Sequence, residues 1–209
     1  MIDLDNALLI RLLDLAGIGV FALSGALMAV RLRQTLVTAS FFALVTGVGG
    51  GSVRDLLIGA PVFWVQDGAI AAVCIAIAVI VWLTPQRWWD GRLLEWADAV
   101  GLAAYSVFGT AKALAWGVPP VPALLMGVIT GCVGGIIRDL LAGVPSIIVR
   151  PEIYVTAAAL ASGLFLVLLW TGLSLPVAAL IGAVAGFALR GAAIRWSLAL
   201  PAYRGPTSQ

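Results

Sequence analysis

The chain has 209 residues, of which 62% are hydrophobic and 11% are charged, and its mean hydropathy is +1.11. Soluble domains contain about 25% charged residues, so this composition excludes a soluble protein and predicts an integral membrane protein. The net charge of +2 is too small to indicate a nucleic-acid-binding protein, and the absence of histidine removes the commonest general base and metal ligand.

Seven apolar segments are long enough to cross a membrane, for which a helix needs about 20 residues. They lie at approximately 11–31, 36–58, 68–84, 96–116, 120–143, 152–171 and 174–194. The connections between them are short and leave no room for a soluble domain. The sequence therefore predicts an all-α membrane protein, a single transmembrane domain over 1–209 with a polar C-terminal tail at 196–209.

Arginine is distributed unequally between the two ends of these spans. The side that carries the C-terminus holds Arg31, Arg33, Arg87, Arg92, Arg150, Arg190, Arg195 and Arg204, whereas the other side holds Arg11 and little else. Arginine and lysine accumulate in cytoplasmic loops. We therefore expect a cytoplasmic C-terminus and an N-terminus on the outside.

A sixteen-residue motif occurs twice in the chain. Residues 46–61 match residues 130–145 at ten of sixteen positions without a gap, at an offset of 84. The same offset aligns Asp14 with Asp98 in spans 1 and 4. One offset thus relates the first three spans to the next three.

This alignment predicts a first repeat at about 11–84, a second at about 96–171 and an extra helix at about 174–194. Because three is an odd number of spans, the second repeat must enter the membrane from the opposite face. Inverted repeats are typical of transporters and permeation proteins, whose sites lie near the midplane between the halves.

Each copy of the motif contains a glycine cluster. The clusters are Gly49, Gly50 and Gly51 in span 2 and Gly134 and Gly135 in span 5. Small residues allow close helix packing. Three consecutive glycines also weaken a helix, so we expect a kinked or broken helix 2 and a similar helix 5. A break would expose carbonyl oxygens that replace the hydration shell of a cation, here a transient potassium ion.

An Arg-Asp pair follows each glycine cluster, Arg54-Asp55 in span 2 and Arg138-Asp139 in span 5. Charged residues inside spans usually face a bundle interior or a wet cavity. Neighbouring residues point in different directions on a helix, so we expect partners on other helices, with Asp14 and Asp98 as candidates. Snorkelling of the arginines to the membrane surface is the alternative.

Lys112 is the one lysine of the sequence and lies in span 4, where the first repeat has Met28. An unpaired ammonium group in a pore repels cations, which suits a gate, whereas an ammonium near the span end can snorkel instead. Hydroxyl oxygens that can add to a polar path belong to Ser24, Ser106, Thr46 and Thr130, although serine and threonine also bond to their own helix.

The sequence contains no arrangement typical of a hydrolase or transferase, neither Ser-x-x-Lys nor a cluster of carboxylates on one face. Cys74 and Cys132 lie in apolar segments without metal-ligand spacing. We therefore expect no enzymatic activity, no catalytic residue, no cofactor and no resident metal. The sequence leaves open whether bound lipid occupies a cavity between the helices.

The two Gly-Gly-x-x-Arg-Asp motifs, the Phe21-Ala-Leu-Ser-Gly-Ala26 segment and the seven spans resemble the prokaryotic trimeric intracellular cation (TRIC) channel family, which overlaps bacterial glycine-transporter-domain proteins. The resemblance implies a homotrimer in the bacterial inner membrane, with a potassium-permeable path inside each protomer lined by kinked helices 2 and 5. It implies kinks at the two glycine clusters and a gating role for Lys112. Val133 departs from the pattern, since it stands where the first copy has Gly49.

Three functions agree with these features. The resemblance favours a monovalent cation channel. The inverted repeat fits equally well a secondary transporter for a small solute such as glycine. A membrane scaffold without transport activity requires the charged residues inside the spans to have no function, although burying them is costly.

Overall fold

The computed structural model describes residues 4–89 and 91–201, with side chains from residue 14 onward. The described residues form seven α-helices, which confirms the predicted all-α class. They are α1 (Leu4–Arg31), α2 (Leu36–Leu57), α3 (Gly68–Leu83), α4 (Leu93–Ala115), α5 (Pro120–Leu141), α6 (Val155–Trp170) and α7 (Leu175–Trp196). The Arg204 of the predicted cytoplasmic side lies outside the described residues.

Four of these helices, α1, α2, α5 and α7, are long and apolar enough to cross a membrane on length and composition alone. Helices α3 and α6 are apolar but have only 16 residues each. Helix α4 has 23 residues and contains Glu95, Asp98 and Lys112, which lower its mean hydropathy. Helix α4 is therefore not among the helices that qualify on hydropathy, although α2 and α5 also carry charged residues.

Local signals fix the helix ends. The Thr35 side chain caps α2 by accepting a hydrogen bond from the Thr38 amide at 3.2 Å, and Asp67 caps α3 through the Ala69 amide at 3.0 Å. Helix α5 begins with Pro120, whose missing amide hydrogen costs nothing at a helix start. Glycines with positive φ follow four helices and allow the chain to turn: Gly59, Gly117, Gly143 and Gly172.

The offset of 84 seen in the sequence also relates the helix boundaries. Helices α2 and α5 begin and end at equivalent residues, and α1 ends at the residue equivalent to the end of α4. A short 3-10 turn follows at the equivalent positions Phe63–Val65 and Ile147–Val149. After these turns the helix boundaries no longer correspond, because α6 begins at Val155 rather than at the residue equivalent to Gly68.

The two halves meet through equivalent contacts between α1 and α4. A Cβ atom on Gly17 would collide with the Tyr105 ring, and a Cβ atom on Gly101 would lie 2.9 Å from the Phe21 ring. Tyr105 and Phe21 also contact each other edge to face, with ring centroids 5.6 Å apart. Each half therefore places an aromatic ring against a glycine of the other half, and the pairs are related by the repeat.

Helices α2 and α5 cross at the glycine clusters. A Cβ atom on Gly50 would collide with the Thr130 carbonyl oxygen, and one on Gly134 would collide with the Thr46 carbonyl oxygen. The absence of side chains thus lets each backbone touch the other, as in small-residue packing of membrane helices.

Both helices are assigned as continuous α-helix through these clusters. The disruption expected in α2 and α5, a kink or a break, therefore does not take the form of a break. The close approach of the partner helix uses the missing side chains, which is the packing role that small residues have in membrane helices. A bend of the helix axis is compatible with this assignment, because it needs no loss of helical residues.

Candidate cation pathway

The first charged cluster lies where α2 ends. The Arg54 guanidinium donates to Asp55 Oδ1 from Nε at 2.9 Å and from Nη2 at 2.8 Å, and Asp55 Oδ2 accepts the Phe63 amide at 3.1 Å. Both charged side chains are almost completely buried. Burying such a pair is tolerated because hydrogen bonds occupy the carboxylate. The pair also fixes the turn that follows α2.

Lys112 of α4 joins this first cluster. Its Nζ lies 2.8 Å from Asp55 Oδ1, and its side chain is 22% exposed. It also lies 5.7 Å from the centre of the Phe63 ring, which attracts a cation. Lys112 therefore does not snorkel freely, since it ties the end of α4 to the end of α2.

The second charged cluster repeats the first at the end of α5. The Arg138 guanidinium donates to Asp139 Oδ1 from Nε at 3.0 Å and from Nη2 at 2.9 Å, and Asp139 Oδ2 accepts the Ile147 amide at 2.9 Å. Every one of these atoms is equivalent to an atom of the first cluster. Because the halves are inverted, the two clusters lie toward opposite ends of the helix bundle.

Arg138 has two further partners. Its Nη1 donates to Asp98 Oδ1 of α4 at 2.6 Å and to Ser24 Oγ of α1 at 3.1 Å. The expected contact with Asp98 is therefore present. The expectation that an Arg-Asp pair avoids internal contact is wrong, because the long arginine side chain folds back onto the adjacent carboxylate.

Arg54 lacks the equivalents of these partners. Its Nη1 is buried and has no hydrogen-bond partner among the side chains and backbone that the structure describes. The residue equivalent to Ser24 is Phe108, whose ring centre lies 5.6 Å from the guanidinium carbon of Arg54. The residue equivalent to Asp98 is Asp14, which accepts hydrogen bonds from the Tyr105 hydroxyl at Oδ1 and at its carbonyl oxygen, both 2.8 Å.

The predicted hydroxyl residues are buried and three of them bond to their own helices. Ser24, Ser106 and Thr130 donate to the carbonyl oxygens of Phe21, Leu102 and Met126. Thr46 Oγ1 is buried and has no hydrogen-bond partner in the described part of the chain. Ser24 alone of the four also accepts a hydrogen bond from a charged side chain.

A cavity of about 350 Å³ opens beside the second cluster, where α1, α5 and α7 end. Its charged lining consists of five arginines and four carboxylates: Arg31, Arg92, Arg138, Arg150, Arg190, Glu95, Asp98, Asp139 and Glu152. This lining makes the cavity strongly polar. It lies on the side for which the arginine count predicts the cytoplasm.

Sequence reasoning did not identify the α7 contribution to this cavity. Arg190 donates to Glu152 Oε2 at 2.8 Å and lies 5.2 Å from the centre of the Tyr154 ring. An arginine inside an apolar helix is a sequence signal for a buried polar site, besides its use for orientation. The aromatic partners Phe63, Phe108 and Tyr105 carry no sequence signal, because aromatic residues are common throughout membrane helices.

No group of three or more histidine, cysteine, aspartate or glutamate side chains is placed to hold a metal ion in the part of the chain that the structure describes. The glycine clusters do not expose freed carbonyl groups through a helix break. Coordination of a passing cation by main-chain oxygens near the glycine clusters stays a prediction.

Comparison with known proteins places this geometry in a family. The model of the family described as glycine transporter matches the chain twice, over residues 11–86 and 95–171. A UPF0126 membrane protein of Vibrio cholerae is 38% identical, over 97% of this chain and 87% of its own length. The UPF0126 inner membrane protein YadS of Escherichia coli is 39% identical, over 94% of this chain and 97% of its own length.

A solved structure agrees with these matches. The TRIC trimeric intracellular cation channel orthologue from Rhodobacter sphaeroides is 41% identical and superposes with a TM-score of 0.84, covering 90% of this chain and 98% of that chain. Sequence and structure thus match over nearly the whole length. The chain belongs to the prokaryotic TRIC channel family, and each of its two halves matches the glycine transporter family model.

Proposed function

We propose that the chain is a monovalent cation channel, permeable to potassium, with a path inside each protomer. The observation that carries this proposal is the pair of buried Arg-Asp clusters at equivalent positions of α2 and α5, in a fold shared with the Rhodobacter sphaeroides cation channel orthologue. Charged groups inside spans mark ion paths. Conduction of this kind needs neither an enzymatic reaction nor a cofactor.

The proposed assembly is a homotrimer in the bacterial inner membrane. The Rhodobacter sphaeroides orthologue is a trimeric channel and the Escherichia coli relative is an inner membrane protein, which support both parts. Small residues on α7, such as Gly182 and Gly186, pack against α6 within the protomer and so do not define the trimer contact. Mass measurement of the purified protein in detergent tests the trimer.

Lys112 is the proposed gate residue at the first cluster. With Arg54 and Asp55 it leaves a net charge of +1 at this end of the path, which opposes the entry of cations. We expect Lys112→Met, which copies the equivalent Met28, to increase potassium conductance several-fold. Lys112→Arg keeps the charge and should conduct like the wild type.

The experiment is single-channel recording and potassium flux from purified protein in liposomes and planar bilayers. Discrete potassium currents in the wild type support the proposal. Absence of currents, together with concentrative uptake of labelled glycine by the same liposomes, would replace the channel by a transporter. Equal currents in wild type and Lys112→Met would remove Lys112 from the gate while leaving the channel.

Membrane lipids are further proposed partners, with the charged cavity as the place where a headgroup enters. Five arginines line this cavity, and guanidinium groups bind phosphate well. Mass spectrometry of lipids retained after purification, in the wild type and in Arg31→Gln, tests this occupancy. Retention of the same lipids in both proteins would contradict it.

A further inference from the structure

The two halves of the chain differ at one buried atom. Arg138 Nη1 is satisfied by Asp98 and Ser24, whereas the equivalent Nη1 of Arg54 is buried without a partner among residues 14–89 and 91–201. An unpaired buried guanidinium nitrogen is costly. The Arg-Asp contacts and the amide contact of the two clusters are equivalent, so the partner that Arg54 lacks corresponds to Asp98, whose equivalent is Asp14.

Asp14 is kept from this position by Tyr105. The Tyr105 hydroxyl donates to Asp14 Oδ1 at 2.8 Å, and Phe21, the residue equivalent to Tyr105, has no hydroxyl. In the second half Phe21 offers Asp98 no hydroxyl, and Asp98 Oδ1 accepts a hydrogen bond from Arg138 instead. The surroundings of the two arginines thus differ at two equivalent positions, Tyr105 against Phe21 and Phe108 against Ser24.

Asp14, Tyr105 and Arg54 lie close together. The Phe108 ring centre is 5.5 Å from that of Tyr105 and 5.6 Å from the Arg54 guanidinium carbon. Tyr105 and Phe108 thus connect Asp14 to Arg54 through side-chain contacts.

We propose that Tyr105 acts as a catch that holds Asp14 away from Arg54, and that the protein has a second state in which Asp14 leaves Tyr105 and pairs with Arg54 Nη1. In that state the first cluster copies the second. Asp14 then cancels the net positive charge of Arg54, Asp55 and Lys112, so the second state conducts cations more easily. This inference rests on the proposed channel function only for its effect on conduction.

Tyr105→Phe tests the catch, because it introduces the residue that the fold already accommodates at the equivalent position 21. We expect this variant to raise the potassium flux several-fold. Asp14→Asn should abolish the increase, so that the double variant conducts like Asp14→Asn alone. An unchanged flux in Tyr105→Phe, or independent effects of the two changes, would overturn the proposal.

A second measurement does not depend on conduction. Thermal unfolding of the purified protein is compared for Asp14→Asn, Arg54→Gln and their combination, in the wild type and in Tyr105→Phe. We expect the two changes to be additive in the wild type and coupled by several degrees in Tyr105→Phe, where the side chains meet. Additivity in both backgrounds would rule out the second state, even if the protein proved not to conduct potassium.

Discussion

Two buried arginines bind adjacent carboxylates in the same way, yet their surroundings differ in charge. Arg138 is shared by Asp139 and Asp98, so the second cluster carries one negative charge in excess. Arg54 and Lys112 share Asp55, so the first cluster carries one positive charge in excess. The two ends of the proposed path therefore present opposite local charge, although their backbones are equivalent.

The buried pair of Arg138 and Asp98 is sensitive to the loss of either partner. Asp98→Asn leaves part of the guanidinium charge uncompensated, which costs about 3–5 kcal/mol for a buried pair. Glu95→Gln is the matched control, because Glu95 pairs with Arg92 at an exposed position where such a contact contributes about 0–1 kcal/mol. Thermal unfolding in detergent should therefore separate the two variants clearly.

At this scale the repeat aligns Arg54 with Arg138 and Asp14 with Asp98, and the contact expected of Asp98 with Arg138 is present whereas Asp14 binds Tyr105. It does not predict how they pair. The difference depends on a hydroxyl group at position 105 and on a ring at position 108, and neither residue type signals its contacts from sequence alone.

Helices α2 and α5 form the centre of the bundle by touching backbone to backbone at Gly50 and Gly134. The sequence places both helices within a few residues of their observed ends, because apolar length and capping residues are local signals. It does not decide between flexible and tightly packed glycines. That choice depends on the opposing helix, which contributes the Thr130 and Thr46 carbonyl groups.

Gly50→Ala tests this crossing. Its Cβ atom meets a main-chain oxygen, which cannot rotate away, so we expect a loss of about 1–3 kcal/mol in stability together with reduced potassium flux. Gly68→Ala is the matched control, since no atom lies within 4 Å of its added Cβ and alanine favours a helix. Equal melting temperatures for the two variants would contradict a tight crossing.

The whole molecule has an orientation that the uneven arginine distribution predicts. Gln66 and Gln86 are both exposed and lie in the connections at opposite ends of α3. We expect Gln66→Cys to react with a membrane-impermeant maleimide in intact cells, and Gln86→Cys to react only after the cells are opened. The native Cys74 and Cys132 are buried and provide a low background. The reverse labelling pattern would invert the orientation.

The inverted architecture is predictable because one offset spans three helices and the motif that follows. The number of subunits cannot be predicted from the sequence. Small residues such as Gly182 pack against helices of the same chain and do not indicate how many copies associate. The proposal of a trimer therefore rests on the similarity to the Rhodobacter sphaeroides orthologue and not on a residue pattern of this chain.

The glycine-to-ring contacts between α1 and α4 have a consequence for the origin of the chain. Gly17 receives the ring of Tyr105, and Gly101 receives the ring of Phe21. A single three-helix ancestor carrying one such glycine and one such ring would make both contacts by pairing about a two-fold axis with an inverted second copy of itself. Fusion of two genes would then have joined a dimer that already fitted, and left each half free to acquire its own charge.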